Sequence, residues 1–159
     1  MAEVIFLKVQ WKKLIIAILI PLAVGGISAL LSRGGMEAFE TLDKPPLSPP
    51  GWVFPVVWTV LYILMGTASY LAAVSGKPSG DALRAYALQL FFNFFWSIIF
   101  FGLEMYLFAF FWLAALWILI LVTTVRFYRI SAVAGYLMLP YLLWVTFAGY
   151  LNLAIYFLN

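Results

Sequence analysis

Five long stretches without a single charged residue dominate this chain. They are Leu14 to Leu31, a run inside Pro45 to Gly76 whose helix should start near Gly51, Ala85 to Leu103, Met105 to Val125, and Ile130 to Asn159. Each can supply the roughly 20 apolar residues that cross about 30 Å of hydrocarbon as a helix. A spanning segment must pair its backbone polar groups internally, which leaves helices and closed barrels. These runs are continuous rather than alternating, so a barrel is excluded. The expected fold is all-α, an integral membrane bundle of five transmembrane helices forming one domain over residues 1–159. The spans fall at about 13–32, 51–74, 83–103, 105–126 and 130–157, with a loop at 33–50.

Composition leaves no other solvent open. The chain has 159 residues, 67% hydrophobic and 9% charged, against roughly 45–50% apolar and about 25% charged in soluble domains. Cysteine and histidine are both absent, which removes disulfides, thiolate nucleophiles, most zinc sites and the usual haem ligands. A net charge of +3 is too small and scattered for nucleic acid. It reports topology instead. Lys8, Lys12, Lys13, Lys77, Arg84, Arg126 and Arg129 fall on one side of the predicted spans, and Arg33 and Lys44 on the other. Basic residues in short loops mark the cytoplasmic face. The N-terminus is thus expected inside and the C-terminus outside, in a bacterial cytoplasmic membrane.

Lys12-Lys13 before an apolar run has the outline of a signal peptide. The run is longer than a usual signal core, and Ser28-Ala29-Leu30 is a poor cleavage site, so it is kept as a span. Met1 to Gln10 has room for a short amphipathic anchor. The connection from Ser32 to Pro50 carries Pro45, Pro46, Pro49 and Pro50. Proline fixes φ and disfavours helix at the residue before it. The segment is expected to be an extended, stiff strap across the outer end, either a lid or a plain helix initiator.

In the third span Tyr86, Gln89, Asn93, Trp96 and Phe100 recur at spacings of three and four, on one helical face. Two readings stand: interhelical hydrogen-bond ties, or a ligand cavity trimmed with amides. The second span offers Trp52, Pro55, Trp58, Tyr62 and Met65 at similar spacing. Trp52 suits an interface anchor, whereas Trp58 is about two turns deeper. In the fifth span Pro140 precedes Trp144, with Asn152 further on. Gly25 with Ala29, and Ala68 with Ala72, would let helices approach closely. No span holds an acid, a base or an activated nucleophile, so proton or ion relays have no residues to run on. The interior suits a large, flat, apolar, metal-free molecule, and no cofactor is implied.

The segment Lys44-Pro45-Pro46-Leu47-Ser48-Pro49-Pro50-Gly51-Trp52-Val53-Phe54-Pro55, with Val57-Trp58-Thr59-Val60-Leu61-Tyr62, resembles the tryptophan-rich sensory protein family. That family is also called the translocator protein or peripheral-type benzodiazepine receptor family. Gln89-Leu90-Phe91-Phe92-Asn93 with Trp96 and Phe101-Gly102 is similar to its third helix, and Leu139-Pro140-Tyr141-Leu142-Leu143-Trp144 to its fifth. The resemblance implies five helices, homodimers, and a pocket beneath the first loop for protoporphyrin IX or related tetrapyrroles, sterols and benzodiazepine-type ligands. It implies that Trp58, Asn93 and Trp144 line the pocket, with Gln89 and Trp96 beside them. Tyr62 and, on the closing loop, Phe39 complete the candidate set. Sensing, transport, and light-dependent porphyrin degradation through Trp58 and Trp144 are all functions the family suggests. The loop reads Ala38-Phe39 where many members have Trp-Tyr, and Leu47 where many have tryptophan. Tyr156 is followed by Phe157, Leu158 and Asn159, without the basic residue of the family's cholesterol pattern.

Overall fold

The computed structural model describes residues 8–159; most of the expected amphipathic anchor, Met1 to Gln10, lies outside them. Helix α1 spans Trp11–Leu31, α2 Gly35–Glu40, α3 Val53–Ala73, α4 Gly80–Ser97, α5 Tyr106–Ile130 and α6 Ala132–Leu158. Helix α4 continues into a π-helical turn, Ile98–Gly102. Five of these segments are long and apolar enough to cross a membrane: α1, α3, α4 with its π turn, α5 and α6. The short α2 lies in the first loop. This is an integral membrane protein.

The five spans close into a ring in the order α1, α3, α6, α5, α4, the closest association being between α5 and α6. Helices α5 and α6 form a hairpin around Ser131, whose extended backbone ends one helix while its hydroxyl accepts a bond from the Ala134 N–H at 3.4 Å, a capping arrangement. Helix α1 is the least embedded; only Pro21 and Ser28 are buried along it.

Proline and glycine fix how α1 meets α3. Pro21 lacks an N–H, so the Ala17 carbonyl loses its helical donor. At that point α3 presents Gly66, where an added Cβ would stand 2.6 Å from the Ala17 oxygen and 2.7 Å from the Ile18 Cα. Only a residue without a side chain lets the two backbones come this close. About one turn beyond Pro21, Gly25 faces the ring of Tyr62 so closely that a Cβ would overlap it. The expected small-residue pair on α1 is therefore half corrected. Gly25 is the contact, but Ala29 points outward. Its neighbour Ser28 is buried instead, donating to the Phe94 carbonyl at 2.6 Å. Ala68 and Ala72 are fully buried as expected.

The first loop differs from a continuous extended strap. Its first half, Gly35–Glu40, is helical, because the prolines that forbid helix begin only at Pro45. The proline segment then turns through Leu47, at φ +71°, to the start of α3. Pro55 sits in the first turn of α3, where its missing N–H costs nothing.

The two ends of the bundle carry different charge. Lys8, Lys12, Lys13, Lys77, Arg84, Arg126 and Arg129 gather at one end. There the Gln10 N–H donates to the Tyr70 hydroxyl at 2.9 Å and Arg126 to the Asp81 carbonyl at 3.0 Å. Arg33 and Lys44 are at the other end with α2 and the end of α6.

Gly66→Leu is expected to destabilise the bundle by about 1–3 kcal/mol through overpacking against α1. Gly26→Ala, with nothing within 4 Å of the new Cβ, should leave it unchanged. Thermal melting in detergent checks both, and an unshifted Gly66→Leu melt would contradict the close α1–α3 contact.

Candidate functional site

A side-chain amide inside hydrocarbon must find partners or lose several kcal/mol. The α4 stripe meets this demand. Tyr86, Gln89, Asn93, Trp96 and Phe100 are all buried. The Tyr62 hydroxyl donates to Asn93 Oδ1 at 2.8 Å, and Asn93 Nδ2 donates to the Tyr141 hydroxyl at 2.7 Å. Tyr141 in turn donates to Gln89 Oε1 at 2.6 Å, and Gln89 Nε2 lies 3.9 Å from the Met65 sulfur. This chain ties α3, α4 and α6 at mid-bundle. Nearer the end that carries the first loop, Trp96 Nε1 donates to Asn152 Oδ1 at 3.1 Å, and Asn152 Nδ2 donates to the Tyr106 carbonyl at 2.8 Å. That second layer ties α4, α6 and α5. In this structure the amides act as interhelical ties.

Aromatic rings surround both layers. Trp58 stacks on Tyr62, centroids 5.6 Å apart, and meets Tyr141 edge-on at 6.1 Å. Trp96 stacks on Phe100 at 5.2 Å. One turn outward from Tyr141 on α6, Trp144 packs against Phe54 at 6.0 Å and Phe147 at 5.6 Å. Phe54 in turn meets Phe39 of the loop at 6.1 Å.

Phe39 is the loop's plug. It is buried among Phe54, Phe100 and Phe101, with the Lys44 ammonium 4.9 Å over its ring. A Cβ on Gly35 would strike the Phe101 backbone, so α2 rests directly on the π turn. Further along, Asn159 pairs in both directions with the Asp43 backbone, at 3.1 and 2.9 Å. The Tyr150 hydroxyl donates to the Pro46 carbonyl at 3.1 Å. The loop is closed and held from α6.

The open space lies elsewhere. A cleft of about 570 Å³ between α3 and α6 is walled by Val56, Val60, Leu64, Leu143, Trp144 and Phe147, among others. A second, of about 470 Å³, runs between α5 and α6 past Trp117 and Thr146, whose side chains are joined by a 2.8 Å hydrogen bond. Among the described residues, two buried side-chain polar atoms lack a partner: the Tyr86 hydroxyl and Trp144 Nε1. Trp144 lines the larger cleft, and its Nε1 is buried there without a partner. No group of His, Cys, Asp or Glu able to hold a metal occurs among the described residues.

The predicted set therefore divides. Trp58, Tyr62, Gln89 and Asn93 form one interior cluster; Trp96 belongs to the outer polar layer; Phe39 is in the loop; and Trp144 borders the cleft. Tyr141, which joins both amides, was not in the set. Its signal was a hydroxyl deep in an apolar span, one residue after a proline. Phe54, which links Trp144 to the loop, carried no sequence signal beyond its aromaticity.

Tyr141→Phe removes two bonds at once and is expected to cost about 1–3 kcal/mol by leaving buried amide atoms unpaired. Tyr62→Phe removes one and should cost less. Detergent unfolding of both variants checks the order, and equal small losses would contradict the chain as drawn.

Comparison with known proteins agrees with this architecture. The TspO/MBR family profile matches residues 17–158. The Tryptophan-rich protein TspO of Chlorobaculum tepidum is 42% identical over 124 residues, covering 76% of this chain and 78% of that protein. The protein of the same name from Archaeoglobus fulgidus is 39% identical over 149 residues, covering 92% and 97%. The Translocator protein of Bos taurus is 34% identical over 139 residues, covering 84% and 82%. The chain belongs to the TspO/MBR family.

Proposed function

We propose that this protein is a membrane receptor for flat, hydrophobic, porphyrin-like ligands, held against Trp144 beneath the first loop. One observation carries the reading: Trp144 lines an apolar cleft, and its indole N–H is buried without a partner. Such a donor awaits an acceptor, and an unpaired one costs about 1–3 kcal/mol. The cleft's size falls within the roughly 300–1,000 Å³ usual for small-molecule sites. Phe54 and Phe147 add faces for stacking. Trp58 lies on the inner side, and Gln89, Asn93 and Trp96 keep the helices at the spacing the site needs. Phe39 couples the loop to Phe54 and so to the bound molecule.

The sensory name of relatives such as that of Cereibacter sphaeroides fits a receptor that reports ligand through the loop. Transport is the second reading. It is favoured by the cleft's opening toward the surface of the bundle and by the name Translocator protein carried by the cattle relative. The seven-to-two division of basic residues between the ends supports a cytoplasmic N-terminal end and an outward-facing loop, and with them a bacterial cytoplasmic membrane.

Protoporphyrin IX titrated into the purified protein should quench tryptophan fluorescence saturably. Trp144→Phe is expected to weaken binding about tenfold, the loss of one buried hydrogen bond; Trp58→Phe, one shell further in, should weaken it less. Linear quenching that is identical in both variants would mean partition into the micelle and would remove the receptor reading. Flux into proteoliposomes, measured against empty vesicles, separates transport from binding.

A further inference from the structure

We infer that the ligand reaches Trp144 sideways, from the bilayer through the α3/α6 cleft, and that the site selects neutral molecules bearing a hydrogen-bond acceptor. This rests on the receptor reading above and adds the route and the chemical class.

The loop route is shut at several independent points. Phe39 fills the space between Phe54, Phe100 and Phe101. Gly35 lies on the Phe101 backbone. Asn159 holds Asp43 in both directions, and Tyr150 holds Pro46. A ligand arriving from water would have to break these contacts together. It would also pass Glu37, Glu40, Asp43 and Glu104, all exposed, against Arg33 and the half-buried Lys44. Lys44 is already engaged with the Glu40 carbonyl at 3.1 Å.

The lateral route needs no such opening. The lips of the cleft, Val56, Val60 and Leu143, are 54%, 50% and 69% exposed, on the surface that lipid covers. Apart from Trp144 and Phe147, the side chains lining the cleft are aliphatic. No charged side chain stands on this path, so an ionised ligand would lose its hydration without compensation. Among the described residues lining this path, the unpartnered polar atom is Trp144 Nε1, a buried donor that a carbonyl, ether or ring nitrogen complements once the wall yields. Pro140 lies in the same wall. Its missing N–H removes one helical bond of α6, leaving that wall able to bend as a molecule enters.

The test uses the full chain in phosphatidylcholine nanodiscs, with protoporphyrin IX dimethyl ester as a neutral probe and tryptophan quenching as the readout of association rate. Val60→Trp and Leu143→Trp each put a ring across the lips at exposed positions, so that loss of folding in one leaves the other informative. Asp43→Cys/Asn159→Cys, joined by a short bis-maleimide, fixes the loop shut; the chain has no cysteine of its own. Lip variants are expected to slow association about tenfold while the cross-linked loop stays within about twofold of wild type. Slowing by the cross-link overturns the inference. Unchanged rates in both lip variants also overturn it, the cleft then holding acyl chains only. No saturable binding by the wild type brings down the receptor reading itself.

Discussion

The bundle depends on one chain of hydrogen bonds in its dry centre: Tyr62 to Asn93 to Tyr141 to Gln89. Within a bilayer, apolar surface gives helices no reason to prefer each other over lipid tails, and association rests on close packing and polar ties. The four side chains come from three helices, α3, α4 and α6. They reach across the ring from α4 to α3 and α6 and so tie its opposite sides together. Gly25 serves the same arrangement from outside, since only a glycine there leaves room for the Tyr62 ring that begins the chain.

This centre bears on where ligand chemistry takes place. Both ends of the Asn93 amide are engaged, and Trp58 lies stacked on Tyr62, so the interior is already filled by its own side chains. Of the two unpaired polar atoms among the described residues, Trp144 Nε1 belongs to a residue lining the cleft between α3 and α6, and the Tyr86 hydroxyl does not. From there Phe54 and Phe39 form an unbroken aromatic path to the loop. On the proposed reading, a hydrogen-bonded core supports a binding edge and a loop that senses it, three parts with separate physical jobs.

Much of this was legible in the sequence. Five uncharged runs and the period of the α4 stripe follow from the cost of bare polar groups in lipid, and that cost acts on every residue. The helical half of the first loop was not, because proline signals mask the helix-compatible Gly35–Glu40 that precedes them. Spacing alone left two readings for Gln89 and Asn93; the partners that decide between them, Tyr62 and Tyr141, lie on other helices. The outward turn of Ala29 was hidden for a related reason. Small residues at helical spacing mark a possible contact, but Pro21 and Gly66 decide which face of α1 is used. The π turn after Ser97 rotates Phe100 and Phe101 toward the loop, and no local propensity announces it.

On the proposed reading, the polar chain stays intact while ligand sits at its edge. An experimental structure with protoporphyrin IX dimethyl ester bound tests this most directly. The macrocycle is expected in the α3/α6 cleft, with an acceptor atom on Trp144 Nε1 and with Tyr62, Asn93 and Tyr141 still joined. A macrocycle lodged between Trp58 and Asn93, with Tyr62 swung away from the amide, would contradict it.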